Sequence, residues 1–321
     1  MLLSCIFILI GLGLLVYGAD VFVIGAASIA RIMGMSSLMI GLTVVGFATS
    51  APEMIVGSVA AWNEKTAIAV GNAIGSNITN VGLVLGVSII VVPIVFSARH
   101  LKKEFMLMLC SIAIAIVLLL DNHLGRIDGA ILLTAIILAM YAIVRIALNT
   151  KEDQAVTDEF DAEYANPDTP FKSIIKLLIG LTLLLIGAEL LVSGATEIAR
   201  EFGVSDLVIG LTIVAIGTSL PELAASIVSL LKKEADIAIG NIIGSNMFNM
   251  LAVLALPALI YPVNIESQVF SRDIPVMCGL TLLLAIMLFA TKKQKLYRAE
   301  GVLLLACFIT YQYFLYVQNV S

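Results

Sequence analysis

The chain has 321 residues, 60% hydrophobic and 13% charged, with a formal net charge of −5 and a mean hydropathy of +1.08. An average soluble domain is about 45–50% apolar and about 25% charged, so a soluble core within a solvated shell is excluded. No basic block suggests nucleic acid, and the composition is that of an all-α polytopic membrane protein.

A membrane helix needs about 20 mostly apolar residues to cross roughly 30 Å of hydrocarbon. On that measure the pattern predicts ten spans, at roughly 2–19, 38–61, 67–92, 105–120, 129–148, 173–191, 207–231, 237–260, 274–290 and 300–317. The first run, Leu2 to Ala19, has no basic residue before it and no small-x-small cleavage site, so it is expected to stay as a span. Cys5, Cys110, Cys278 and Cys307 lie alone in or near apolar runs without metal spacing, and are expected as buried small hydrophobes. The one long polar segment, 149–172, carries Glu152, Asp153, Asp158, Glu159, Asp161, Glu163 and Asp168 and reads as an acidic linker. It lacks the central Gly and terminal Glu of an EF-hand.

The chain is a duplication. Gly41–Glu53 reads GLTVVGFATSAPE and Gly210–Glu222 reads GLTIVAIGTSLPE; Gly71–Asn80 reads GNAIGSNITN and Gly240–Asn249 reads GNIIGSNMFN. Adding 169 to a number in the first copy (motif 41–86) gives its partner in the second (210–255) without a gap. The register extends upstream, from Gly18-Ala19-Asp20 to Gly187-Ala188-Glu189 and from Arg31 to Arg200. The predicted organisation is a five-helix repeat over 1–148, a cytoplasmic linker over 149–172 and a second five-helix repeat over 173–321. Five spans is an odd number, so the second copy inserts upside down, an architecture of secondary transporters. On this topology fourteen Lys and Arg fall on one face and four (Lys65, Arg126, Arg200, Arg272) on the other. The positive-inside rule places the fourteen in the cytoplasm and both termini outside.

Each copy carries one carboxylate, Glu53 or Glu222, inside an apolar span. An acid at membrane depth is a functional-site hypothesis by default, and no Lys or Arg lies deep in a span to pair with it. Pro52 and Pro221 lack an N–H and break or kink the helix beside each acid, which is expected to free carbonyls near Gly46–Thr49 and Ala215–Thr218. Thr49 and Ser50 share a helical face with Glu53, as Thr218 and Ser219 do with Glu222. Asn72, Ser76 and Asn80 form a polar stripe at four-residue spacing, repeated by Asn241, Ser245 and Asn249. Gly71 and Gly75, like Gly240 and Gly244, are spaced for close helix approach. Carboxylates, amides, hydroxyls and carbonyls are all oxygen donors; they suit a hard cation such as Ca²⁺, which takes about 6–8 oxygens.

These motifs resemble the cation/Ca²⁺ exchanger superfamily, most closely its bacterial calcium/sodium antiporters of the YrbG type. The resemblance rests on G-x-T-x-x-x-x-x-TS-x-PE and GN-x-x-GSN-x-x-N, each present twice, and covers essentially the whole chain. It implies a central diamond of Glu53, Asn80, Glu222 and Asn249 with Ca²⁺ between the two glutamates. It also implies flanking Na⁺ sites from Thr49, Ser50, Ser76, Thr218, Ser219 and Ser245 with backbone oxygens near Gly46 and Ala215. Spans one and six would slide across the other eight to switch access. One position departs: well-studied sodium/calcium exchangers carry an Asp where this chain has Asn249. Two ionised glutamates are neutralised by one Ca²⁺ or two monovalent ions, and a third Na⁺ would leave excess charge in a low dielectric. That calls the family's three-to-one stoichiometry into question here.

The expectation is a non-enzymatic antiporter in the inner (plasma) membrane exchanging Ca²⁺ for Na⁺. Its partners are those ions and the bilayer, with no cofactor, nucleic acid or obligate protein partner evident. Two other readings stay open: Ca²⁺/H⁺ exchange, since a desolvated Glu can bind a proton, and a cation channel with a continuous pore. An intramembrane hydrolase is disfavoured because the serines have no buried His or Lys base.

Overall fold

The computed structural model describes residues 2–64, 66–96, 98–149, 169–203, 215–289 and 294–320. Helix is the expected state in hydrocarbon, where every backbone N–H and C=O must find an internal partner. In chain order the helices are α1 (Leu2–Met33), α2 (Ser37–Trp62), α3 (Thr66–Val91), α4 (Ala98–Leu119) and α5 (Arg126–Asn149). Then come α6 (Pro170–Glu201), α7 (Ala215–Thr218 with Leu220–Leu231), α8 (Ala235–Ile260), α9 (Val269–Phe289) and α10 (Arg298–Val320). Among the described residues, eight of these are long and apolar enough to cross a membrane. The exceptions are α4, whose first turns carry Lys102, Lys103 and Glu104, and α7, of which residues 204–214 lie outside the described part.

α1 and α6 exceed their predicted lengths of 2–19 and 173–191. Each has 32 residues, which at 1.5 Å per residue is about 48 Å, well beyond the roughly 30 Å of hydrocarbon, so each is long enough to cross at a tilt or to project past it. Asp20 and Arg31, with Glu189, Glu197 and Arg200, interrupt the apolar pattern without interrupting the helix. Both helices stop at equivalent glycines with positive φ, Gly34 (63°) and Gly203 (78°), where only a residue without Cβ turns the chain at no steric cost. The acidic segment is described only from Thr169, which caps α6 by accepting from the Lys172 N–H (3.4 Å). The predicted linker end at 172 therefore lies inside a helix, and residues 150–168 lie outside the described part.

α1 and α6 pack on one another antiparallel through glycine. A Cβ on Gly11 would lie 2.7 Å from the Gly187 oxygen, one on Gly18 2.8 Å from the Leu184 nitrogen, and one on Gly25 2.6 Å from the Leu177 nitrogen. From α6, Gly180, Gly187 and Gly194 come equally close to the α1 backbone at Phe22, Leu15 and Ser4. Small residues let membrane helices approach closely, which is what drives their association where apolar side chains gain nothing by leaving lipid. Ser4 Oγ donates to Glu197 (3.0 Å) and Ser28 Oγ meets Ser173 Oγ (2.7 Å) along the same seam.

The centre is α8. Of its most apolar stretch 89% is buried, against 28% for α1 and 22% for α6, so the two long helices lie on the outside. Two short antiparallel ladders, which the all-helical expectation did not contain, tie the repeats together. Ile94–Val95 (β1) pairs with Lys295–Leu296 (β4), and His123–Leu124 (β2) with Val263–Asn264 (β3). The cysteine expectation fails in part: Cys5 and Cys110 are exposed on helix flanks, and Cys278 and Cys307 half-buried. In a chain with an apolar outer surface a thiol needs no protein cover.

Candidate functional site

α2 and α7 break where the prolines predict. α2 is helical through Thr49, turns at Ser50 and restarts at Ala51 with Pro52 in its first turn; α7 turns at Ser219 and restarts at Leu220 with Pro221. Glu53 and Glu222 thus stand in the first turn of a half-helix, where the positive end of the peptide dipoles favours a carboxylate. One detail differs from the expectation. The Gly46 carbonyl is not released, because it accepts from the Ser50 N–H at 3.1 Å. Proline removes only its own N–H, so the bond that Pro52 cannot make is the one to Ala48.

The stripes on α3 and α8 are α-helical up to Thr79 and Phe248 and then widen into π-turns, Asn80–Leu85 and Asn249–Val253. Both π-turns begin on a predicted site residue, in keeping with the frequent use of such bulges at functional sites. The elements then interlock across the repeats. The half-helix that starts before Glu222 packs against the π-turn of Asn80, and the one that starts before Glu53 packs against the π-turn of Asn249.

This arrangement gathers the predicted residues. Thr49, Ser50, Glu53, Ser76, Asn80, Ser219, Glu222, Ser245 and Asn249 are all buried. Thr218 is half-buried, and Ala215 begins the short turn Ala215–Thr218 ahead of the break. Thr49 Oγ1 donates to Asn241 Oδ1 (3.0 Å) and lies 3.3 Å from Ser245 Oγ. Asn241 Nδ2 in turn donates to the Glu222 carbonyl (3.4 Å) and to Ser226 Oγ (3.2 Å). Asn80 Nδ2 donates to Asn246 Oδ1 (3.3 Å), which leaves the Asn80 oxygen facing elsewhere.

Among the described residues, seven buried oxygens of the predicted set have no hydrogen-bond partner: Ser50 Oγ, both oxygens of Glu53, Asn80 Oδ1, Ser219 Oγ, Glu222 Oε2 and Asn249 Oδ1. Buried polar groups are otherwise satisfied almost without exception, and two carboxylates without a basic partner are the costliest exception. Oxygens of this type are the donors a hard cation takes.

The sequence reading missed Asn77, Asn246 and Ser226. Asn77 Nδ2 donates to the Asn246 backbone oxygen (3.3 Å), joining equivalent positions of the two repeats. Their signal was present, because the Asn of the GSN triplet is identical in both copies. The glycine spacing is used in one copy. Gly240 and Gly244 press against the backbone of Leu38 to Leu42, whereas Gly71 is exposed and Asn72 only half-buried.

The chain matches the sodium/calcium exchanger protein family over residues 3–145 and 172–317. It is 45% identical to the putative antiporter CaxA of Alkalimonas amylolytica, over 98% of this chain and 99% of that one. It is 40% identical to the inner membrane protein YrbG of Escherichia coli K12, over 98% of each. Among solved structures it resembles the sodium-calcium exchanger NCX_Mj, with a TM-score of 0.81 and 36% identity over 97% of both chains. This multi-pass membrane chain belongs to the sodium/calcium exchanger family.

Proposed function

We propose that the chain is a secondary-active antiporter that exchanges Ca²⁺ for Na⁺ by alternating access. The observation that carries this is the set of seven unpartnered buried oxygens drawn from both repeats around two carboxylates. Five of the seven, on Glu53, Asn80, Glu222 and Asn249, are hard oxygen donors of the kind Ca²⁺ takes, and the two acids supply the charge to neutralise it. Glu53, Glu222, Asn80 and Asn249 are the Ca²⁺ ligands. Thr49, Ser50, Ser76, Thr218, Ser219 and Ser245, with the Gly46 and Ala215 backbone, serve Na⁺ on either flank.

The architecture we assign is ten spans in two inverted five-helix repeats, 1–148 and 173–321, joined by the cytoplasmic linker 149–172, with both termini outside in the inner membrane. Support comes from equivalent helices meeting antiparallel, α1 against α6, and from equivalent half-helices each packing on the other repeat's π-turn. The glycine seam joins α1 and α6 into one body on the outside of the α8-centred core, which suits them to slide as a pair.

The test is Ca²⁺ flux into proteoliposomes under an imposed Na⁺ gradient, then under a pH gradient alone. Uptake that needs internal Na⁺ and survives collapse of the pH gradient is expected. Uptake driven only by the pH gradient would make the glutamates proton carriers, and uptake indifferent to any opposing gradient would make the protein a channel.

A further inference from the structure

Glu222, Ser226 and Ser229 stand at i, i+4 and i+7 on the half-helix of α7 that runs from the central site to Lys232, and so share one face. All three are buried. That half-helix packs against the last stretch of α3, Gly86–Val91, where Ser88 is also buried. Among the described residues, Ser88 Oγ and Ser229 Oγ have no hydrogen-bond partner. A helical hydroxyl in an apolar setting ordinarily turns back onto the carbonyl four residues earlier, as Thr79, Ser111, Thr134 and Thr281 do here at 2.8–2.9 Å. Ser88 and Ser229 do not, and their buried hydroxyls are left unsatisfied.

The other repeat provides the control. The positions equivalent to Ser226, Ser229 and Ser88 are Gly57, Ala60 and Pro257. There the chains approach closely at Gly57, where a Cβ would lie 3.3 Å from Pro257 Cγ. Asn72, the equivalent of Asn241, has no partner for its Nδ2, because a glycine stands where Ser226 accepts from Asn241. Three positions are therefore hydroxyl-bearing on the Lys232 side of the site and apolar on the opposite side. The bonded chain Thr49–Asn241–Ser226 joins them to the centre.

From this juxtaposition we propose that Ser88, Ser226 and Ser229 form a one-sided way-station, which holds a partly hydrated Na⁺ or Ca²⁺ between the central site and the Lys232 face. Neutral hydroxyls suit that role. They replace water of hydration without adding charge that would trap the ion.

The inference rests on the central site acting as proposed, and the experiment separates the two. Equilibrium ⁴⁵Ca²⁺ binding and Ca²⁺ flux are measured on purified full-length protein carrying Ser88→Ala with Ser229→Ala. Ser229→Cys, made with the four native cysteines replaced, is probed with a membrane-impermeant thiosulfonate from each side. The expected result is unchanged Ca²⁺ binding, turnover lowered about five- to tenfold, and Ser229→Cys labelled from the Lys232 side alone at a rate that changes between Na⁺ and Ca²⁺. Unchanged turnover, or a cysteine inert from both sides under every ionic condition, would overturn the way-station while leaving the central site intact. If the double variant does not fold, the cysteine probe decides alone. Absence of Ca²⁺ binding by the unaltered protein would overturn the central reading first.

Discussion

Thr49 of the first repeat donates its hydroxyl hydrogen to Asn241 Oδ1 of the second across 3.0 Å, immediately before the break that presents Glu53. The bond fixes which way the Asn241 amide faces, and thereby sends its Nδ2 to the Glu222 carbonyl and to Ser226. Thr49→Val keeps the shape and leaves Asn241 Oδ1 only the longer bond from Ser245 Oγ (3.4 Å), at a cost of about 1 kcal/mol. We expect Ca²⁺ exchange to fall at least about tenfold, with Thr49→Ser restoring most of it. Equal activity of the Val and Ser variants in reconstituted flux would show that the bond does not position the site.

Glu53→Gln and Glu222→Gln are expected to abolish Ca²⁺ transport. Either change leaves one negative charge for a divalent ion in a low-dielectric site, where unbalanced charge is expensive. Both variants should remain folded, as judged by size-exclusion profile and thermal unfolding, since neither glutamate is in an ion pair among the described residues. Near-normal flux in both would remove the proposed site.

Asn249→Asp adds a third acid to the centre. The ionised site would then carry one more negative charge, and the charge moved per cycle should change. Moving one charge through 100 mV is worth about 2.3 kcal/mol, so the reversal condition of exchange under an imposed voltage is a sensitive readout. An unchanged coupling ratio would show that position 249 does not set it.

Gly25→Leu tests the α1–α6 seam. A Cβ there would lie 2.6 Å from the Leu177 nitrogen, and backbone cannot yield as a flexible side chain can. Overpacking costs about 1–3 kcal/mol, occasionally more, so thermal unfolding should move down. Gly13→Leu on the same helix meets no atom within 4 Å and serves as the control. Equal unfolding temperatures would argue that the two long helices do not bear on each other through glycine.

The sequence alone determined the membrane class, the duplication, the two acids and the breaks beside them. Each follows from local chemistry: apolar run length, proline's missing N–H and the cost of a carboxylate in hydrocarbon. The oxygen character of the site was equally legible, because residue type fixes donor type. The seam of Gly11, Gly18 and Gly25 with Gly180, Gly187 and Gly194 was written in the register but had no meaning until α1 was seen to lie antiparallel on α6.

Tertiary structure decided what no spacing states. Hydropathy ended α1 just before its first charged residue, Asp20, and α6 at 191, whereas helices on the outside can hold charges against water and neighbours, as Asp20 does with Lys232 at 2.7 Å. The π-turns at Asn80 and Asn249 come from packing, since an extra residue in a turn is a response to neighbours and leaves no periodic trace. Only the folded chain shows that equivalent residues have unequal surroundings, Asn241 buried and bonded and Asn72 half-open. The two copies share a pattern of residues but pack against different neighbours, and it is packing that sets burial and hydrogen bonding.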